Sequence, residues 1–294
     1  MPFFLPALAL TALGLGVKHA LDGDLAFAPS DLRWRRAWLE HREAVRRLRE
    51  ARGQLRTEAL ALAELQRRAV DETARPFLEL MERLERWECL APAERLPRDV
   101  HAMLEQLSHE PPPDRRDLQV GAALRGAGGA LPPALTPLLT WLERGWVHVE
   151  APVRVAGVSV FEAVACGDVA PPAQEAGTHA VQLEGARAEL ARVHAYVEAL
   201  TARLRASAAA LADVHGCASA QLAYLDPQSF EPGCVEAGSD DLPRARLRRL
   251  GVLVAALARA LQRPLLEGDG TLLPAGSLAE QALAVQPCEQ ALDT

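Results

Sequence analysis

Residues 181–214 read VQLEGARAELARVHAYVEALTARLRASAAALADV and have the clearest periodicity in the chain. Their apolar positions recur at steps of three and four: Leu183, Ala186, Leu190, Val193, Val197, Leu200, Leu204, Ala208, Leu211 and Val214. Charged residues such as Glu184, Arg187 and Arg192 fall between them. Because this spacing aligns apolar side chains along one side of an α-helix, the segment predicts a long amphipathic helix, with Gly216 as its C-terminal stop.

A second long helix with the same spacing is predicted nearer the N-terminus, where Ser30 or Asp31 can cap its first turn. Its seam consists of Trp34, Trp38, His41, Val45, Leu48, Arg52, Leu55, Ala59, Leu62 and Ala69. A helix of this length needs a long partner, and residues 181–214 supply one. Pro76 predicts a kink or break, after which the helical pattern resumes as far as Trp87.

The composition and these patterns predict an all-α fold. Residues 242–261 form a third amphipathic pattern. Ala, Leu, Arg and Glu dominate the chain while aromatic residues are only 4%, which is typical of long helices rather than β-sandwiches. We expect an elongated antiparallel helical bundle or coiled-coil hairpin. A small β-hairpin insertion is expected near residues 146–161, where 146–150 and 153–161 alternate in polarity.

Turn-rich stretches divide the chain into four predicted segments. Residues 1–29 are an apolar N-terminal segment and linker, 30–110 the first long helix and its continuation, 111–177 a Gly/Pro-rich central insertion, and 178–294 the second long helix and C-terminal helices. Within the insertion, residues 121–142 are largely apolar. Arg125 and three prolines make deep membrane insertion there costly, because a charge and missing backbone donors would sit in hydrocarbon.

Residues 3–17, FFLPALALTALGLGV, contain no charged side chain. A secretory signal would begin with positive charge and end at a small-residue cleavage site, and neither is present. A membrane-spanning helix needs about 20 apolar residues, whereas this run ends at Lys18. The run must therefore be covered by lipid, by the protein's own core or by a second copy. The residues predicted to contact a membrane are Phe3, Phe4, Leu5, Leu8, Leu10, Leu13, Leu15 and Val17.

A strongly basic stretch follows this apolar run. Between Arg33 and Arg56, nine arginines and three glutamates leave a net charge of +6, although the whole chain carries -7. Positive charge beside an apolar segment is typical of polypeptide that faces anionic lipid. The residues predicted to contact anionic lipid or a partner are Arg33, Arg35, Arg36, Arg42, Arg46, Arg47 and Arg49.

No catalytic residue, metal site or cofactor is predicted, and we expect no enzyme. The five cysteines are scattered without a CxxC pair, which fits a reducing compartment. The best metal-like grouping is His101 and His109 with Glu105 and Glu110, which we interpret as solvated helix surface. There is no GxxxxGK[ST] phosphate loop, and Gly14 and Gly16 lack the third glycine of a dinucleotide fingerprint.

The chain resembles a family of poorly characterised bacterial long-helix proteins that often carry the label "chemotaxis protein". The resemblance rests on the Gly-containing apolar N-terminus, the long charged helix leading into residues 75–84 (RPFLELMERL), the apolar middle, the second long helix, and the ending in residues 264–270 (PLLEGDG). The middle departs from the family, which has a longer, uncharged Gly/Ala-rich segment that looks membrane-inserting. Insertion is therefore not carried over to residues 121–142.

Two classes of function remain. In the first, the protein is a membrane-associated helical protein that binds, remodels or permeabilises a bilayer through residues 3–17 and the adjacent arginines. In the second, it is a soluble coiled-coil scaffold or adaptor whose basic stripe pairs with acidic faces. The expected partners are an anionic membrane, partner helices or a second copy of the chain. We expect a cytoplasmic protein, peripheral to or inserted at the inner membrane. Interleaved glutamates and the acidic total argue against nucleic acid.

Overall fold

The computed structural model describes residues 29–91, 94–109, 120–125, 133–144, 154–155, 158–159, 176–225, 230 and 242–273. Its helices are α1 (Pro29–Ala69), α2 (Arg75–Arg86), α3 (Arg98–His109), α4 (Val120–Arg125), α5 (Thr136–Arg144), α6 (Ala176–Ala223) and α7 (Leu242–Gln262). A π-helical turn, Val70–Ala74, joins α1 to α2, and a 3-10 turn, Pro133–Leu135, precedes α5. The packed helices confirm the all-α class.

The chain divides into two compact units. The first comprises residues 1–54 and 140–199, and the second comprises residues 55–139 and 200–294. The long helices α1 and α6 contribute to both units, since the boundaries fall after Gln54 and after Ala199.

α1 and α6 pack beside each other in parallel within each unit. In the first unit, Arg33 pairs with Glu184 and Glu40 pairs with Arg187. In the second unit, Glu58 pairs with Arg205. Further on, Thr73 in the π-helical turn after α1 forms a hydrogen bond with His215 of α6. Partner numbers rise together, so the antiparallel order expected of a helical hairpin is replaced by a parallel one. A short loop would favour antiparallel neighbours, whereas here the connection contains α2 to α5.

The helix end predicted from Gly216 is wrong. α6 continues through Gly216 to Ala223, and Ala218 and Leu222 beyond the glycine pack into the core of the second unit. Near Pro76, the α-helix gives way to the π-helical turn Val70–Ala74, and Pro76 itself lies in the first turn of α2, where a missing N–H is tolerated. The preceding π-helical turn carries the backbone hydrogen bonds into α2, with Arg75 N–H donating to the carbonyl of Val70.

The core of the second unit forms where α2, α3 and α7 meet. Phe77, Leu84, Leu104, Leu250 and Val254 are all nearly inaccessible to water. The spacing of the α7 residues confirms the amphipathic pattern predicted for residues 242–261. Each large apolar side chain buried in this way stabilises the fold by about 1.5–3 kcal/mol relative to an exposed position.

A buried carboxylate lies at the edge of this core. The side chain of Glu94 is only 1% exposed. It accepts a hydrogen bond of 2.9 Å from the backbone N–H of Ala91 and one of 3.2 Å from Arg244. Arg248 lies 3.6 Å from its other oxygen. These donors offset the loss of hydration of the charge, so this group is structural.

One apolar cluster of the first unit contains two tryptophans. Ala37, Ala180 and Leu183 are buried, and Trp34 and Trp38 of α1 pack against them. The two indole rings stack with centroids 6.4 Å apart. Alanines on both helices permit this close approach, because a larger side chain would occupy the space that the rings fill.

The central insertion contains a shorter β-hairpin than expected. Arg154–Val155 pairs antiparallel with Val158–Ser159. Both strands therefore lie inside the segment 153–161 that was predicted as a single strand, and residues 146–150 lie outside the described residues. Among the described residues of the apolar stretch 121–142, the side chains of Ala123, Leu124, Leu135, Leu138, Trp141 and Leu142 are buried in protein.

Candidate anionic-partner surface on α1

All seven arginines predicted to meet an anionic partner lie on α1. Six of them are exposed, namely Arg33, Arg36, Arg42, Arg46, Arg47 and Arg49, while Arg35 is half-buried. The apolar residues predicted to meet a membrane, Phe3, Phe4, Leu5, Leu8, Leu10, Leu13, Leu15 and Val17, lie outside the described residues. Of the two predicted contact sets, the structure therefore describes only the arginines.

One side of α1 is tied to α6 by ion pairs. Arg33 binds Glu184 through both its Nε and Nη2 atoms, the shortest contact being 3.0 Å. The hydrogen bond from Arg33 lowers the pKa of the Glu184 carboxyl below its ordinary value. Arg187 pairs with Glu40, which also accepts from Arg36 at 3.0 Å. These pairs are solvent-exposed, so water and salt weaken them, and they set the register of the two helices.

A second group of charges forms a ladder along α1 itself. Glu43 accepts from Arg46 at 2.6 Å and from Arg47 at 2.9 Å, and Arg46 also pairs with Glu50. The hydrogen bonds from Arg46 and then Arg47 lower the pKa of Glu43 to about 2. At neutral pH Glu43 is thus fully ionised, and it pairs with two helical neighbours at the favourable i, i+3 and i, i+4 spacings.

A third set, which we name the arginine row, consists of Arg35, Arg42 and Arg49. These residues are seven apart, so they lie nearly above one another on the helix at intervals of about 10.5 Å. Arg42 is held over the Trp38 ring, with its Cζ atom 5.3 Å from the ring centroid. Arg49 is exposed and has no hydrogen bond or ion pair to another described residue.

The sequence had a signal for the arginine row that the prediction missed. The seven arginines were treated as one basic stripe, whereas the seven-residue spacing of Arg35, Arg42 and Arg49 separates them from their neighbours. Arg33, Arg36, Arg46 and Arg47 are engaged by glutamates. Arg42 and Arg49 can thus attract an anion, whereas Arg35 makes a contact within the structure and the other four arginines pair with glutamates.

The second unit contains a polar cluster at the π-helical turn. Thr73 lies in that turn and is fully buried, and its Oγ1 atom is 2.9 Å from Nδ1 of His215. The other ring nitrogen of His215 is 3.4 Å from Glu72. The arrangement of hydroxyl, imidazole and carboxylate resembles a catalytic triad. However, Thr73 is 0% exposed, so no substrate can reach its hydroxyl. We therefore assign the cluster a structural role.

The histidines and cysteines form no metal site within the described ranges. His101 pairs with the Glu105 carboxylate at 3.2 Å, whereas His109 contacts the Glu105 backbone carbonyl at 2.7 Å. No three His, Cys, Asp or Glu side chains of the described residues lie close enough together to hold a metal ion. The Cys89 thiol donates to the carbonyl of Phe230 at 2.9 Å, which ties it into the fold.

Among the described helices, none is both long enough and apolar enough to cross a bilayer. Comparison with known proteins gives no match to any family model, curated protein or solved structure.

Proposed function

We propose that this is a membrane-associated helical protein that attaches to an anionic bilayer through the arginine row and an apolar anchor in residues 3–17. The observation that carries the proposal is the outward-facing positive charge of α1. Nine arginines against three glutamates in residues 33–56 leave a local excess in a chain of net charge -7. Several of these arginines form ion pairs with glutamates of the same chain, whereas Arg49 has no acidic partner among the described residues.

The physical basis is the sum of two weak attractions. Each arginine close to an anionic leaflet contributes about 1 kcal/mol of electrostatic attraction. This attraction falls off within a Debye length of roughly 8 Å at physiological salt. Stable attachment takes two such signals, for example an apolar anchor together with a basic patch. The apolar run of residues 3–17 lies 16 residues before Arg33 in the sequence and supplies the second signal.

The bilayer in this proposal is the cytoplasmic leaflet of the inner membrane, whose lipids are anionic. Attachment there would let the helical body coat, remodel or permeabilise the membrane. Dye release from the same vesicles separates these outcomes, because a protein that only coats the bilayer leaves the dye enclosed.

The first test compares two double variants with equal charge loss. Arg42→Gln with Arg49→Gln removes two members of the arginine row. Arg36→Gln with Arg47→Gln removes two arginines that face glutamates, displaced from the row by about 100° and 140° around the helix. Flotation with anionic vesicles should show that the row variant binds roughly thirtyfold more weakly, while the control variant stays close to the native protein.

Circular dichroism and thermal unfolding of both variants check that α1 stays folded. Equal loss of binding in the two double variants would show that only net charge matters and would overturn the role of the row. Undiminished binding in both would remove the arginines from the proposal altogether.

A second candidate function is a soluble helical scaffold or adaptor. The Arg33–Glu184 pair favours it, because it shows that a basic position of α1 can be matched by a carboxylate on another helix. The occupant of the arginine row would then be an acidic helix of a partner or of a second copy. Sedimentation velocity at low and high salt tests this candidate: a scaffold predicts salt-sensitive self-association without lipid, weakened in the row variant.

A further inference from the structure

We propose that the second unit contains a binding site for one small inorganic anion of about the size of chloride. The site is a partly enclosed cavity of about 20 Å³ among residues of α1, α6 and the end of α7. Its polar lining consists of Gln66, Ser207 and Arg263, and its apolar walls include Leu62, Leu211 and Leu265. The inference is independent of membrane attachment.

Two buried polar atoms belong to residues that line this cavity. The Nη1 atom of Arg263 and the Oγ atom of Ser207 are both shielded from solvent, and neither has a hydrogen-bond partner among the described residues. A guanidinium nitrogen is only a donor, and it carries part of a positive charge. A buried donor of this kind is costly unless an acceptor occupies the space beside it.

The chemistry of the lining selects the class of ligand. Guanidinium, hydroxyl and amide groups can all donate to one acceptor, and no carboxylate is among the residues that line the cavity. A water molecule would accept two hydrogen bonds from these groups, whereas a halide can accept from all three and carries a charge opposite to that of the guanidinium. A cavity needs about 10–15 Å³ for one water, so 20 Å³ admits a group somewhat larger than water.

Crystals of the full chain soaked in sodium bromide provide the direct test. Anomalous scattering should show a bromide within hydrogen-bond distance of Arg263 Nη1 and Ser207 Oγ. In solution, the midpoint of thermal unfolding should be higher in potassium chloride than in potassium gluconate at equal ionic strength, since gluconate is too large for the cavity. The dependence of this midpoint on chloride concentration gives the affinity of the site.

Ser207→Ala removes one donor and should weaken chloride binding about tenfold, as expected for a hydrogen bond to a charged group. Ser219→Ala is the matched control, because Ser219 lies on the same helix and its hydroxyl donates to the Gly216 carbonyl instead. An ordered water without bromide would overturn the proposal. Equal chloride responses in both variants would also overturn it, and a bromide peak would then mark an adventitious ion only.

Discussion

At the scale of single residues, two of the buried polar groups have specific partners on other parts of the chain. Thr73 faces His215, and Glu94 faces Arg244 together with the N–H of Ala91. Periodicity could not predict these pairs, because it assigns residues to a buried or exposed face without identifying the neighbour on another helix. Such groups are where one substitution should have the largest effect.

Thr73→Val tests the cluster at the π-helical turn. Valine keeps the shape of threonine but removes the hydroxyl 2.9 Å from His215, so a ring nitrogen of a largely buried histidine loses its partner. We expect the free energy of unfolding to fall by about 1 kcal/mol, measured by urea denaturation. Thr178→Val, at an exposed position of α6, is the control. An unchanged midpoint for Thr73→Val would contradict the assigned role.

At the scale of helices, the sequence predicted which segments are helical better than it predicted where each helix ends or whether neighbouring helices run parallel. α7 begins at Leu242, the predicted start, and ends at Gln262, one residue beyond the predicted end. The parallel order of α1 and α6 was missed because steps of three and four are the same in either direction of the chain. The π-helical turn was missed because steps of three and four do not distinguish it from a continuing α-helix.

Gly216→Ala tests the corrected length of α6. A Cβ atom at Gly216 would meet nothing within 4 Å apart from its own helix and neighbours, and the position lies inside the helix. Because alanine loses less conformational freedom than glycine in a helix interior, we expect stabilisation by about 0.5–1 kcal/mol. A higher thermal midpoint would support a continuous helix as far as Ala223. A lower midpoint would indicate that the helix ends at the glycine.

Acid should weaken the charge ladder of α1 in a defined range of pH. The pKa of Glu43 is lowered from 4.5 to about 2 by Arg46 and Arg47, so the folded protein holds this proton less tightly than the unfolded chain. The stabilisation is therefore complete above pH 4.5 and is lost as the pH falls toward 2. The effect is small because water screens the exposed pairs.

Thermal unfolding across this range checks the prediction against Glu43→Gln. The variant should be less stable than the native protein at neutral pH, and the difference should shrink as the solution is acidified. A difference that stays constant with pH would show that the Glu43 carboxylate contributes no charge-dependent stabilisation.

At the scale of the whole molecule, the proposed membrane attachment depends on the uneven distribution of charge along the chain. A chain of net charge -7 concentrates +6 in residues 33–56, and α1 presents six of its seven predicted contact arginines to solvent. Contact of this surface with anionic lipid or a partner stays a prediction. The seven-residue spacing and the nearby glutamates already separate most of the arginine row from its neighbours, and only the Arg33–Glu184 pair depends on a distant part of the chain.

Flotation of the intact chain with vesicles tests the central claim most directly. Vesicles containing phosphatidylserine should carry the protein at low salt, and neutral phosphatidylcholine vesicles should carry much less. Raising the salt concentration should release the component due to the arginines, and should leave the component due to residues 3–17. Protein that stays unbound with anionic vesicles at low salt would contradict the proposed membrane attachment.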